Sequence, residues 1–414
     1  MSDSKGPLPS GPLSGLRIFD ITRVLAGPSC TQIFGDLGAD VIKIERPGVG
    51  DDTRKWGPPF LKDASGADTT ESAYFLSANR SKRSLALDFT TPKGAALARR
   101  MIAKCDILTE NFKVGSLKKC GLDYASLKPD FPRLVYCSIT GFGQTGPYAE
   151  RAGYDFVVQG MGGIMSLTGD PQGDPVKVAV GVADLMCGTY AAIGILSALR
   201  HRDATGEGQH VDMALLDTQV AWMSYLAQYA LIAGVNPPRL GNSHPTIVPY
   251  DVFASSDGYL ILAVGNDGQF QRFCDFAGRP DLAADPRFAA SGDRIKNRAI
   301  ITPLLAELLA TKPTAHWVEG LEARAVPCGP VNDMTQVFAD PHVQSRGMVT
   351  TLPHDLAGGA PVPFVASPIK MSETPPAYRL PPPTLGQHTD DVLHELLGLR
   401  DDEIAALRAE KVIG

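Results

Sequence analysis

Two features of this sequence have residue types suited to chemistry: a single aspartate at the head of an apolar run, and a cluster of cations. Asp184 precedes Leu185-Met186-Cys187 in a stretch that is apolar nearly all round and reads as a buried helix. An aspartate there is an ordinary N-cap, accepting from the first free backbone N–H groups. The same helix N-terminus stabilises a carboxylate and further negative charge beside it, so capping and chemistry are compatible. The second feature, Asn79-Arg80-Ser81-Lys82-Arg83-Ser84, sets three cations just before a strand. A solvated loop is the plain reading of such a run; a seat for the phosphates of an adenosine-containing cofactor is the functional one.

Other chemistries lack their residues. The loop Thr22-Arg23-Val24-Leu25-Ala26-Gly27-Pro28 follows a first strand without G-x-G-x-x-G, so a dinucleotide pyrophosphate has no glycine-lined approach to the helix end. Glu45 would suit an adenosine ribose, but one acidic residue is a weak signal. There is no G-x-x-x-x-G-K-[ST], which argues against ATP-driven ligation. The eight histidines are isolated from carboxylates at metal-ligand spacing, and no metal site is expected.

Positioning these residues takes a scaffold, and 414 residues imply two domains. Residues 16–45 read as strand, helix and strand, with Cys30, Ile33, Phe34 and Leu37 on one helix face. Strand 84–88, helix 92–104 and strand 106–109 repeat the unit. Strand 134–139 then runs into the glycine-rich loop 140–147. A helix from Asp184 to about His201, a strand at 209–213 and an apolar helix at about 216–233 complete the series. Such alternation predicts an α/β fold: a large Rossmann-like domain with a parallel sheet over residues 1–222. A connecting helix and loop at 223–247 lead to a smaller α+β domain at 248–335, opened by a hairpin around Ser255-Ser256-Asp257-Gly258. Residues 336–414 read as a return linker, extended over the proline-rich 361–383, and a last helix near 389–409 packing on the large domain.

Composition narrows the partners. A net charge of −6 offers no basic excess for nucleic acid. The polar first twelve residues have no signal-peptide core. The longest apolar stretch, 185–199, is interrupted by Gly188, Thr189, Gly194 and Ser197, and reads as too short for a bilayer, so no membrane is expected. Seven singly spread cysteines fit reduced thiols and a cytoplasmic protein.

A resemblance joins these fragments. Leu25-Ala26-Gly27-Pro28, Gly38-Ala39-Asp40-Val41-Ile42-Lys43-Ile44-Glu45-Arg46, Gly50-Asp51-Asp52-Thr53-Arg54 and the cationic run come first. Glu110-Asn111-Phe112, Thr140-Gly141-Phe142-Gly143-Gln144-Thr145-Gly146-Pro147, Val182-Ala183-Asp184, Gly241-Asn242-Ser243-His244-Pro245, Val326-Pro327-Cys328-Gly329-Pro330-Val331 and Leu385-Gly386-Gln387-His388-Thr389 follow in order. Together they resemble the class III (formyl-CoA/carnitine-CoA) transferase family over nearly the whole chain. Arg54-Lys55-Trp56-Gly57-Pro58-Pro59-Phe60 and Ile247-Val248-Pro249-Tyr250 resemble the branch handling succinyl and glutaryl groups.

The resemblance implies an interlocked homodimer, coenzyme A and acyl-CoA as substrates rather than tightly bound cofactors, and Asp184 as the nucleophile. It places Val24, Leu25, Ala26, Arg46, Leu87, Asn111, Phe112 and Lys119 where the formyl-CoA branch lines its CoA site. Lys119 replaces an Arg there, keeping the charge without the fork, and Thr90 replaces a Lys. The tetraglycine loop of that branch is missing, which disfavours oxalate or formate. The expected partners are therefore acyl-CoA and a small carboxylic acid, with succinyl-CoA as donor and a dicarboxylate as acceptor. His244 and Arg80 are the candidates for the remote carboxylate. An α-methylacyl-CoA racemase is the alternative enzyme, but it places a His where this chain has Tyr154, and a phenol is a poor base at neutral pH. A non-catalytic CoA-binding protein would leave Asp184 as a cap alone.

Overall fold

A computed structural model describes residues 11–414. Its contacts divide the chain into two compact units. The first is built from the chain up to Ile164, from Lys177–Gln228 and from Ser345–Gly414; the second from Met165–Val176 and Tyr229–Gln344. The second unit thus takes in 165–176 as well as the span around the expected 248–335.

Six parallel strands form the first unit's sheet. In chain order they are β1 (Arg17–Asp20), β2 (Asp40–Glu45), β3 (Lys82–Ala86), β4 (Ile107–Glu110), β5 (Val135–Thr140) and β6 (His210–Ala214). Their spatial order is β3-β2-β1-β4-β5-β6, a doubly wound arrangement whose direction of build-up reverses between β1 and β4. Alternate side chains go to opposite faces, as the pleat requires. Ile18, Val41, Ile107 and Val135 join the core under helices α1 (Ala26–Asp36) and α4 (Val182–Thr205). Phe19, Ile42, Leu108 and Tyr136 join the opposite core with α2 (Pro92–Ile102) and the C-terminal helices. A short helix, α3 (Asp155–Met161), and a single helical turn at Ile164–Leu167 lie between β5 and α4 in the chain.

Helices α1 and α4 cross closely. A side chain on Gly188 would begin 2.5 Å from the carbonyl of Ala26, so no other residue fits there without displacing backbone. By length and composition α4 could cross a membrane, a longer apolar helix than 185–199 suggests. Here Cys187, Ala191, Ile195 and Leu199 are buried on the sheet, while Tyr190, Ile193 and Leu196 are exposed.

Several elements depart from the sequence expectation. The helix expected at 216–233 is two, Leu215–Trp222 and Ser224–Ala233, broken where Ser224 takes φ +48°. The last helix is also two, Thr389–Leu397 and Asp401–Ala409, separated at Gly398. Within the stretch read as extended linker, Pro361–Val365 is a strand paired with Val349–Pro353. A hairpin of Phe60–Lys62 and Asp68–Ser72 was not legible. The chain's end covers the sheet edge: Asp88 N donates to Val412 O (2.9 Å) and Gly414 N to Ala86 O (3.1 Å). The second unit has a three-stranded antiparallel sheet of Tyr250–Ala254, Tyr259–Ala263 and Cys328–Pro330. Phe253, Leu262, Phe273 and Trp317 sit in its own core.

Candidate active site

The loop after β1 and the start of α4 meet at a cleft of about 230 Å³ in the first unit. Val24, Leu25, Ala26, Asn111, Phe112 and Asp184 all line it, so six of the sequence-predicted residues are brought together. Arg23, Lys113 and Arg151 add three cations to the walls, and Asp52 a second acid.

Asp184 is not the cap of its helix. Gly181 holds that place and offers no side-chain acceptor. The cap comes from α3 instead: Asp155 Oδ1 accepts from Ala183 N (2.8 Å) and Asp184 N (3.3 Å). Buried Gln159 ties this carboxylate down, its Nε2 donating to Asp155 Oδ2 (2.7 Å) while its Oε1 accepts from Val178 N (2.8 Å). The Asp184 carboxylate is left without a salt bridge among the described residues, in the first turn of a largely apolar helix. Burial pushes its pKa up to about 7, and the nearby charge of Asp155 adds to the rise. Its ionised form is poorly solvated there.

Neither Asp155 nor Gln159 was singled out from the sequence, and Tyr74 was missed too. The Tyr74 phenol is raised to about 12 by burial, then by the charges of Asp184, Asp155 and Asp51, and its ring meets Trp56 edge-on at 5.2 Å. A capping carboxylate 29 residues from the helix it caps leaves no signal in a single sequence.

The β1–α1 loop is fixed atom by atom. Asn111 Oδ1 accepts from Arg23 N (3.0 Å) and its Nδ2 donates to Arg23 O (2.6 Å). Val24 adopts φ +72°, a left-handed conformation that strains a β-branched residue by ~1–3 kcal/mol. On the opposite wall Gly141 and Gly153 pack back to back: a side chain on either would begin 2.5 Å from the other's Cα. Two backbone groups of the glycine-rich loop are already used, Gly143 N on Thr140 Oγ1 (3.0 Å) and Gln144 N on the Asp212 carboxylate (3.0 Å). They offer nothing to an oxyanion in this conformation.

The remaining expected residues lie elsewhere. Leu87 is buried in the core and paired through its backbone with Ile413. Arg46 and Lys119 are exposed and do not line the cleft. Arg80 is buried, forking onto Asp36 (3.0 and 2.6 Å) and donating to Val365 O (2.8 Å). Its charge is already neutralised there, outside the cleft. Lys82, from the same run, has no exposed side chain and donates to Pro28 O (2.9 Å). The run is therefore mainly internal scaffolding rather than a solvated loop. His244 belongs to the second unit, where its Nδ1 accepts from Thr246 N (3.2 Å) and its ring leans on Tyr250.

The cleft at the sheet's switch point thus brings Asp184 together with three lining cations, and comparison with known proteins supplies the family. The pattern described as CoA-transferase family III matches residues 13–389. A succinate–glutarate CoA-transferase of Agrobacterium fabrum is 49% identical over 93% of this chain and 96% of its own. The human succinyl-CoA:glutarate CoA-transferase is 42% identical over 97% and 90%. The crystal structure of a CAIB/BAIF family protein from Brucella suis superposes with a TM-score of 0.85 at 47% identity, covering 94% of this chain and all of that one. The chain belongs to CoA-transferase family III and is a CoA-transferase enzyme.

Proposed function

We propose that the protein moves CoA from succinyl-CoA to a short dicarboxylic acid of the glutarate type, with Asp184 as nucleophile. The observation that carries this reading is Asp184 itself: a half-buried carboxylate without a salt bridge among the described residues, in a cleft with three cations. The two relatives named for succinyl and glutaryl transfer support the substrate class.

Asp184 attacks the thioester carbonyl of the donor, forming an acyl-aspartyl anhydride and releasing CoA thiolate. The thiolate attacks the aspartyl carbonyl, which gives an aspartyl-CoA thioester and frees the donor acid. The acceptor carboxylate then attacks the aspartyl thioester and displaces CoA thiolate, forming a mixed anhydride with Asp184. Thiolate returns to the acceptor's acyl carbon, leaving the new acyl-CoA and the free Asp184 carboxylate. One thioester is exchanged for another, so no nucleotide is consumed.

The remote carboxylate of a dicarboxylate loses water on entry and needs a cation. With Arg80 committed to Asp36, Arg151 and Lys113 are the better candidates: they line the cleft, and neither is in a salt bridge among the described residues. Arg23 is shared with Asp52 at 3.1 Å.

The reading extends to assembly and location. Phe156, Val157, Tyr190, Ile193 and Leu196 are exposed apolar side chains on α3 and α4, and a second copy of this chain is the proposed cover. An interlocked pair of 44.1 kDa chains should stay near 88 kDa on dilution to nanomolar, and free monomer exchange in ultracentrifugation would remove it. All seven cysteines are free thiols, in keeping with a reducing cytoplasm.

The decisive experiment is chemical trapping. Wild-type protein incubated with succinyl-CoA and then hydroxylamine should carry a mass change on the peptide containing Asp184. Full transfer activity without any modification of that peptide would refute the mechanism.

A further inference from the structure

Buried charge, rather than glycine, shapes the β1–α1 loop. Residues 22–26 contain no glycine, yet Val24 sits at φ +72°. Asn111 holds Arg23 from one side, as described above. From the other side Lys43 Nζ donates to Thr22 O (3.0 Å) and to Asp51 Oδ2 (2.9 Å). Asp51 Oδ1 in turn accepts from Val24 N (3.3 Å), the amide of the strained residue. Neither side chain of the pair is exposed at all.

Asp51 is aligned by its own neighbours. Thr53 donates to it from backbone and hydroxyl (3.0 and 2.8 Å). Its own N–H donates to Glu45 Oε2 (2.9 Å), and Arg54 forks onto Glu45 (2.8 and 2.7 Å). Asp20 completes the frame, accepting from Thr22 N (2.9 Å) and Thr22 Oγ1 (2.5 Å). The hydrogen bonds of Lys43 and Asp51 end on loop backbone as well as on each other. A pair serving bulk stability alone has no reason to reach the one left-handed residue of the cleft wall.

We propose that the buried Lys43–Asp51 ion pair is a positioning device for CoA transfer, holding residues 22–25 in their left-handed turn so that acyl-CoA meets a pre-formed wall beside Asp184. The proposal rests on reading the Asp184 cleft as the acyl-CoA site. Its physical advantage is that the loop is ordered before binding, so the ligand's binding energy is not consumed in ordering it.

The test is kinetic and structural together. Asp51→Asn keeps the shape and an acceptor for Val24 N but removes the charge facing Lys43. It should raise KM for acyl-CoA tenfold or more, with kcat falling less than threefold and KM for the acceptor acid moving less than twofold. Adding Val24→Gly, which tolerates positive φ without strain, should recover at least threefold of that loss. A fall confined to kcat, or losses that simply multiply in the double variant, would overturn the proposal.

Amide hydrogen exchange keeps the question open to refutation even if Asp51→Asn does not fold. In unliganded wild type the peptide spanning 22–26 should be protected like β1; free exchange there would defeat the proposal. If that peptide is protected in wild type and opens in Asp51→Asn while Asp184→Asn transfers CoA at the wild-type rate, the reading of the Asp184 cleft fails and only the loop-holding role stands. If transfer is intact and the peptide is already open, only the positioning role fails.

Discussion

Asp184 and Asp51 flank the same short loop, both withdrawn from water, yet their environments drive them to opposite ends of the carboxylate range. Burial raises both. At Asp184 nothing opposes it, and the second carboxylate, Asp155, adds to the rise, to about 7. At Asp51 the charge and hydrogen bond of Lys43, with the two hydrogen bonds from Thr53, more than reverse it, to about 2. The residue supplied with partners is part of the frame, and the residue deprived of them is available for chemistry. The contrast also ranks the cationic side chains: Lys43, Lys82 and Arg80 are spent on buried acids or carbonyls, whereas Arg151 and Lys113 face the cleft.

Removing Asp184 gives the largest expected effect. Asp184→Asn should lower transfer by roughly 10³-fold or more while CoA still binds, because the proposed mechanism loses only its nucleophile. The same variant should be more stable than wild type at alkaline pH. A carboxylate whose folded pKa lies above its unfolded 3.8 binds its proton more tightly when folded, so stability falls as pH rises from about 4 to about 7. Asn escapes that loss, and urea unfolding at pH 8 should show a gain on the order of 2 kcal/mol, shrinking toward pH 5. No gain would mean the Asp184 carboxylate is better solvated than its surroundings imply.

The two arginines should separate cleanly. Arg80→Ala leaves Asp36 buried and unpaired, and should cost about 3–5 kcal/mol in unfolding free energy. Its residual activity should not discriminate between acids. Arg151→Ala should fold normally and lose about 10–100-fold in kcat/KM for succinate or glutarate, with far less effect on monocarboxylates of similar length. Equal losses for both acid classes would take Arg151 out of the specificity site.

Titration sharpens the comparison further. In the proposed mechanism Asp184 attacks as the carboxylate, so kcat/KM for acyl-CoA should rise with pH through about 7 and level off above it. Asp155→Asn retains an acceptor for Ala183 N but removes the neighbouring negative charge, so the rise should move to lower pH. A shift to higher pH would contradict the electrostatic account. The smallest expected effect is a null one. A 2-methylacyl-CoA in heavy water should acquire no α-deuterium, since the cleft offers Tyr154 where a racemase needs a base.

Much of this was written in local pattern. The strands and helices of the sheet follow from period-two and period-3.6 alternation over residues 16–140, and Ile18 and Phe19 already point to opposite cores by their adjacency. Asp184, at the head of an apolar helix, and the motif series around it were legible because chemistry and helix start coincide in sequence. What the chain's order could not tell is which charges cancel. Lys43 meets Asp51 only because the chain after β2 turns back over the loop, and Arg80 meets Asp36 only because the 79–84 run folds against the end of α1. Asp155 reaches the start of α4 across 29 residues, taking over the cap the sequence assigns to Asp184. Ion pairing and desolvation act through space over a few ångströms, and distances of that order between residues far apart in the chain exist only once the backbone has folded.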